Sequence, residues 1–118
     1  MIQFCTSKLA TNPNHSKALI MRASSFLKLG KYKEAINDCD QIIKENPENF
    51  NAYYIRGHAY DLSNNLDKGI ENFNQVLRLN PNHINAAYAL GSCENKKGNF
   101  VQAIENYKRA LEKDSSIN

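Results

Sequence analysis

The sequence predicts an all-α solenoid: three antiparallel helix hairpins in a row, led by one further helix. Three observations predict it. The only prolines are Pro13, Pro47 and Pro81, separated by 34 residues each time. Other columns keep the same period, among them Ala23/Gly57/Gly91, Ala35/Gly69/Ala103 and Cys39/Phe73/Tyr107. Between the prolines, apolar residues recur at helical spacing, as in Phe100, Ile104, Tyr107 and Leu111. A fixed period of this length marks a repeat architecture.

The elements follow in chain order. Residues 1–13 read as the second helix of a preceding hairpin, because Ile2, Cys5 and Leu9 fall on the columns of Ile36, Cys39 and Ile43. Its first helix is missing, and no polar capping helix follows the last unit, so the chain reads as a piece of a longer array. Three units come next: residues 16–49, 50–83 and 84–117. Each holds a first helix, such as Phe50 to Leu62, and a second, such as Leu66 to Leu79. The turns between them are "LGKY", "SNNL" and "KGNF". There Gly30 and Gly98 occupy the place where a helix C-cap needs a left-handed residue, and Asn64 fills it in the middle unit. Proline just past a second helix stops that helix from continuing.

One residue looks out of place. Gly57 lies inside a first helix among tyrosines, where glycine costs about 1 kcal/mol relative to alanine. Close approach of two helices justifies it. The expectation is that Gly57 faces Gly69 across its own hairpin, and that a methyl would fit at Gly69 because Ala35 and Ala103 share its column.

Composition narrows the function. The net charge is +3, with no Lys/Arg block, which is poor support for nucleic acid binding. No apolar run approaches the roughly 18 residues of a membrane helix. The start lacks the pattern of a secretory signal. Three cysteines, Cys5, Cys39 and Cys93, form no C-x-x-C pair, which favours a reduced, cytoplasmic setting.

Motifs for chemistry are absent. There is no Gly-rich phosphate loop, no H-E-x-x-H, no G-x-S-x-G and no metal-spaced Cys/His set. His15 and His83 share one inter-repeat turn column, where solvation explains them. Cys39 and Cys93 read as buried structural thiols. Asp38, Asp40, Glu71, Glu105 and Glu112 read as solvated outer surface. The expectation is a protein that is not an enzyme and uses no cofactor or metal.

The columns together resemble the tetratricopeptide repeat (TPR) family over Ser16 to Ile117. In that family small residues stand at repeat positions 8 and 20, an aromatic near 24 and proline at 32. With repeats starting at Ser16, Phe50 and Ile84, these fall on Ala23/Gly57/Gly91, Ala35/Gly69/Ala103, Cys39/Phe73/Tyr107 and Pro47/Pro81/Ser115. Position 4, usually a large aromatic, holds Leu19, Tyr53 and Ala87. The resemblance implies a right-handed superhelical solenoid whose first helices line a concave groove, through positions 2, 5, 6, 9, 12 and 13.

Those positions map onto Lys17, Ile20, Met21, Ser24, Leu27 and Lys28 in the first repeat. The second supplies Asn51, Tyr54, Ile55, His58, Asp61 and Leu62. The third supplies Asn85, Tyr88, Ala89, Ser92, Asn95 and Lys96. Asn51 and Asn85 lie one period apart and can donate to and accept from a peptide backbone. Tyr54 and Tyr88 add contact area with a polar tip. Some family members grip the acidic C-terminal tails of heat-shock chaperones with Lys, Asn, Asn, Lys and Arg. Those columns here are Ile20, Ser24, Ile55, Asn85 and Ala89, so that partner is not expected.

The function this implies is protein–protein interaction, as an adaptor or scaffold segment of a larger protein that binds a peptide or partner helix in the groove. Two other functions fit the same pattern: a structural spacer, and single-stranded RNA binding, which only Lys17, Lys28 and Lys96 support. The last helix is expected to turn Tyr107, Ala110 and Leu111 toward an absent repeat and to support a weak homodimer.

Overall fold

The computed structural model describes residues 16–113. Among the described residues there are six helices and no strand: α1 (Ser16–Lys28), α2 (Tyr32–Glu45), α3 (Phe50–Leu62), α4 (Leu66–Leu79), α5 (Ile84–Lys96) and α6 (Phe100–Lys113). The expected leading helix, with Cys5, and the turn residue His15 lie outside the described residues.

The turns form as their residues dictate. Gly30, Asn64 and Gly98 have φ of 77°, 67° and 87°, the left-handed region. In each case the following N–H reaches back five residues: Lys31 to Phe26 O, Asn65 to Tyr60 O and Asn99 to Glu94 O, at 2.7–2.9 Å. This Schellman closure satisfies carbonyls that the helix end leaves open. The Asn-Pro steps work differently. Asn46 Oδ1 accepts from Glu48 N, and Asn80 Oδ1 accepts from Asn82 N, both at 3.3 Å. An asparagine side chain thus bends the chain over each proline.

Three hairpins result, α1/α2, α3/α4 and α5/α6, and α3 also packs on α2 as α5 does on α4. First helices touch along the stack, α1 with α3 and α3 with α5, whereas successive second helices do not meet. A stack closed on one side and splayed on the other must curve, with the first helices inside. This is an all-α helical solenoid.

Hairpin packing explains the glycines. A methyl on Gly69 would lie 3.3 Å from Gly57 O, so the two helices do approach closely at that pair. Gly57's own missing side chain points elsewhere, at the ring of Phe73. Gly91 meets the ring of Tyr107 in the same way. In the first hairpin the same two columns hold Ala23 and Cys39, both fully buried. A slightly larger first-helix residue is matched by a much smaller second-helix residue, which keeps the volume between the helices filled.

Polar side chains tie the layers together. Arg22 clamps Asp38 with two bonds, Nε to Oδ2 at 2.9 Å and Nη2 to Oδ1 at 2.6 Å. One period later, Arg56 Nε donates to Asn72 Oδ1 at 2.8 Å, and its Nη1 donates to Asp40 Oδ1 at 2.9 Å. Arg56 therefore joins α2, α3 and α4. Asp38 is a correction to the sequence reading: it is buried rather than solvated, because the Arg22 fork satisfies both its oxygens.

Candidate functional site

The candidate site is the inner face, built by α1, α3 and α5. Lys17, Asn51 and Asn85 are exposed near the N-terminal ends of these helices. Ile20, Met21 and Ser24 are half-buried, as are Tyr54, His58, Tyr88 and Ser92. Lys28, Leu62 and Lys96 are exposed at the C-terminal ends. Ile55 departs from the expectation. It is 8% exposed and packs in the core with Leu19, Ala52 and Ile42. Packed against those side chains, Ile55 has almost no surface to offer a ligand.

Tyr54 sits at the centre of an aromatic cluster. Its ring is 4.6 Å from His58, 4.7 Å from His83 and 6.0 Å from Phe73. Tyr88 repeats the last contact one period on, with its ring 6.2 Å from Tyr107. Both tyrosines pack against the core between the second and third hairpins. They are therefore part floor and part core, and burial pushes the Tyr54 hydroxyl above its ordinary pKa.

His83 departs from the expectation of a solvated turn residue. Its Nδ1 accepts from Ala86 N at 3.0 Å, capping α5, while its ring packs on Tyr54 and Phe50. Capping through Nδ1 requires the neutral tautomer with its proton on Nε2. Burial lowers the pKa of both His83 and His58. For His58, Lys96 and His83 add to that lowering, and Asp61 partly offsets it.

One ion pair crosses the face. Lys96 Nζ bonds Asp61 Oδ1 at 2.8 Å, joining α5 to α3, and the Asp61 side chain is only 8% exposed. That bond holds Lys96 above its ordinary pKa. Burial first, then the nearby Asp61 carboxylate, pushes the Cys93 thiol up to about 12. Cys39 reaches about 12 mainly through burial. A thiol so far from ionising is a poor nucleophile.

Sequence reasoning missed His83, the Lys96–Asp61 tie and the Arg22/Arg56 seam. The seam had a signal. Arg22 and Arg56 are one period apart, as are Asp38 and Asn72, so polar columns carried the period as well as apolar ones. Outside this face, two shallow surface depressions occur, one lined by Tyr53, Arg56, Glu71, Asn72 and Gln75, the other at the 63–67 turn beside Lys97.

Comparison with known proteins places this geometry. The tetratricopeptide repeat family matches residues 20–83 and again 57–116. Among solved structures, a double mutant described as MamA RS-1 ArsTM is 28% identical, with a TM-score of 0.89 over 99% of this chain and 66% of that one. MamA 41-end from Desulfovibrio magneticus RS-1 is 29% identical, with a TM-score of 0.89 over 98% of this chain and 65% of that one. A crystal structure of MamA is 26% identical, with a TM-score of 0.88 over 95% of this chain and 66% of that one. The chain thus spans just under two thirds of the length of these solved chains. No curated protein matches it in sequence. No helix among the described residues is long and apolar enough to cross a membrane.

Proposed function

The chain belongs to the tetratricopeptide repeat family, and from that premise we propose that its inner face docks a peptide or a partner helix, the chain serving as a scaffold segment of a larger protein. Repeats of this family generally mediate protein–protein interaction. The observation that carries the reading here is a pair of rows on helices that touch. Asn51 and Asn85 are exposed one period apart, beside the half-buried Tyr54 and Tyr88. The amides supply donors and acceptors to a backbone, and the rings supply apolar area. Buried free thiols at Cys39 and Cys93 support a reducing, cytoplasmic location.

The test is selection of random displayed peptides on the full chain. Asn51→Ala with Asn85→Ala should weaken the selected peptides while leaving the melting temperature unchanged, because both side chains are exposed. Peptides bound equally by the double variant would remove the groove from the reading. No enrichment over an unrelated helical protein would favour a spacer that binds nothing.

A further inference from the structure

The charges of the first hairpin are sorted between its two helices. Helix α1 carries Lys17, Arg22 and Lys28 and no acid at all. Its hairpin partner α2 carries Glu34, Asp38, Asp40 and Glu45 against Lys33 and Lys44. Arg22 is used up internally by Asp38. Lys17 and Lys28 are both exposed, and neither forms an ion pair among the described residues. Further along the face, Asp61 is the one carboxylate at a groove position, and Lys96 holds it. Among the described residues, the groove positions therefore offer two ammonium groups outside any ion pair and no carboxylate outside one.

Their placement defines the ligand more closely. Lys17 and Lys28 are eleven residues apart on one helix, or about 16 Å along its axis. Between them lie Ile20, Met21, Ser24 and Leu27, all half-buried and partly open. The α1 surface is thus a mainly apolar strip, broken by one hydroxyl, with a positive charge at each end. A terminal carboxylate is not the fitting group, since the columns that would grip one hold no cation. Side-chain carboxylates flanking apolar residues fit instead.

We infer that the groove takes an acidic amphipathic segment of a partner protein, its apolar side chains on Ile20, Met21 and Tyr54 and its carboxylates over Lys17 and Lys28. This rests on the docking proposed above and adds the partner's chemistry. A basic segment meets repulsion at both ends of α1 and finds no unpaired carboxylate at the groove positions of α3 and α5. Complementary charge of this kind selects partners and speeds encounter more than it adds affinity.

The test again uses random dodecapeptides displayed against the full chain, read for composition as well as for binding. The expected winners combine Asp or Glu with adjacent apolar residues. Lys17→Glu with Lys28→Glu should weaken them roughly tenfold and leave the melting temperature in place, because exposed charges contribute little to folding. Rising salt should weaken wild-type binding in parallel. Winners that are neutral or basic, or acidic winners indifferent to the charge reversal, overturn this inference and leave docking standing. An absence of any winner removes docking and this inference together. Tighter binding of a single-stranded oligouridylate, competing with the peptides and lost on the same charge reversal, overturns it in favour of nucleic acid.

Discussion

Gly57 sits directly against Phe73: a methyl group on Gly57 would lie 2.8 Å from Cε1 of that ring, closer than real carbon contacts come. Phe73 is fully buried and has nowhere to retreat. Gly57→Ala should therefore destabilise the protein by about 1–3 kcal/mol, despite the better helix propensity of alanine. Gly57→Leu should cost more. Urea denaturation measures both, and a neutral Gly57→Ala would refute this packing. Gly57→Ala combined with Phe73→Cys recreates the Ala23/Cys39 pair of the first hairpin. That double variant should cost less than the sum of its parts.

At Gly69 the two effects oppose each other. Helix propensity favours alanine by about 1 kcal/mol. The new methyl, however, would meet backbone, Gly57 O at 3.3 Å and Asp61 N at 3.5 Å. The gain expected from the columns alone shrinks, and Gly69→Ala should fall within about 0.5 kcal/mol of wild type. A clear stabilisation in chemical denaturation would show that α3 and α4 separate freely.

Stability should fall on mild acidification. Burial lowers the folded pKa of His58 and His83 below the usual 6.5. The unfolded chain therefore binds more protons near pH 6 than the folded one. The stability that these neutral rings contribute is complete above pH 6.5 and is lost as pH falls through the folded values. Protonating His83 on Nδ1 would also remove the α5 cap. Melting temperatures should drop between pH 7 and pH 5. In His83→Asn, which keeps a capping side chain, that drop should be smaller. An unchanged slope would separate His83 from the effect.

Tyr54→Ala is not a clean probe of binding. The ring touches His58, His83 and Phe73, so its loss should cost about 2 kcal/mol of stability, roughly half the penalty of deleting a fully buried aromatic. Helicity and melting temperature should both register it. A Tyr54→Ala protein as stable as wild type would mean that the ring serves the groove alone.

Of the three residues expected on the open face of the last helix, Ala110 is fully buried, Tyr107 is half-buried against Gly91, and Leu111 is exposed. Phe100, Val101, Ile104 and Leu111 are the exposed apolar residues of α6. On α4, the matching Leu77 is buried in the core shared with α5. We expect the uncovered α6 face to pair weakly with that of a second copy, since such a contact closes on itself and one helix face is small. Sedimentation should show association that rises with concentration and is abolished by Ile104→Glu. A monomer at all concentrations, or a dimer indifferent to that substitution, would exclude this face.

The amino-acid sequence by itself determined the repeat, the six described helices and their turns. Those features rest on local chemistry repeated at a fixed period. Asn-Pro halts each second helix, Gly30, Asn64 and Gly98 adopt the left-handed conformation, and the apolar columns choose which helix faces are buried. The family's mapping of those same columns supplied the expected inner-face positions, of which Ile55 proved to be core. Tertiary structure decided what each column's side chain meets. It turned Ile55 into core, drew His83 out of a turn onto Tyr54, and tied Lys96 to Asp61 across thirty-five residues. It also aimed the missing side chain of Gly57 at a ring while keeping its carbonyl against Gly69. The physical reason is that period and propensity act along the chain, whereas tilt, close approach and charge pairing between helices depend on volumes and distances that only the packed hairpins define.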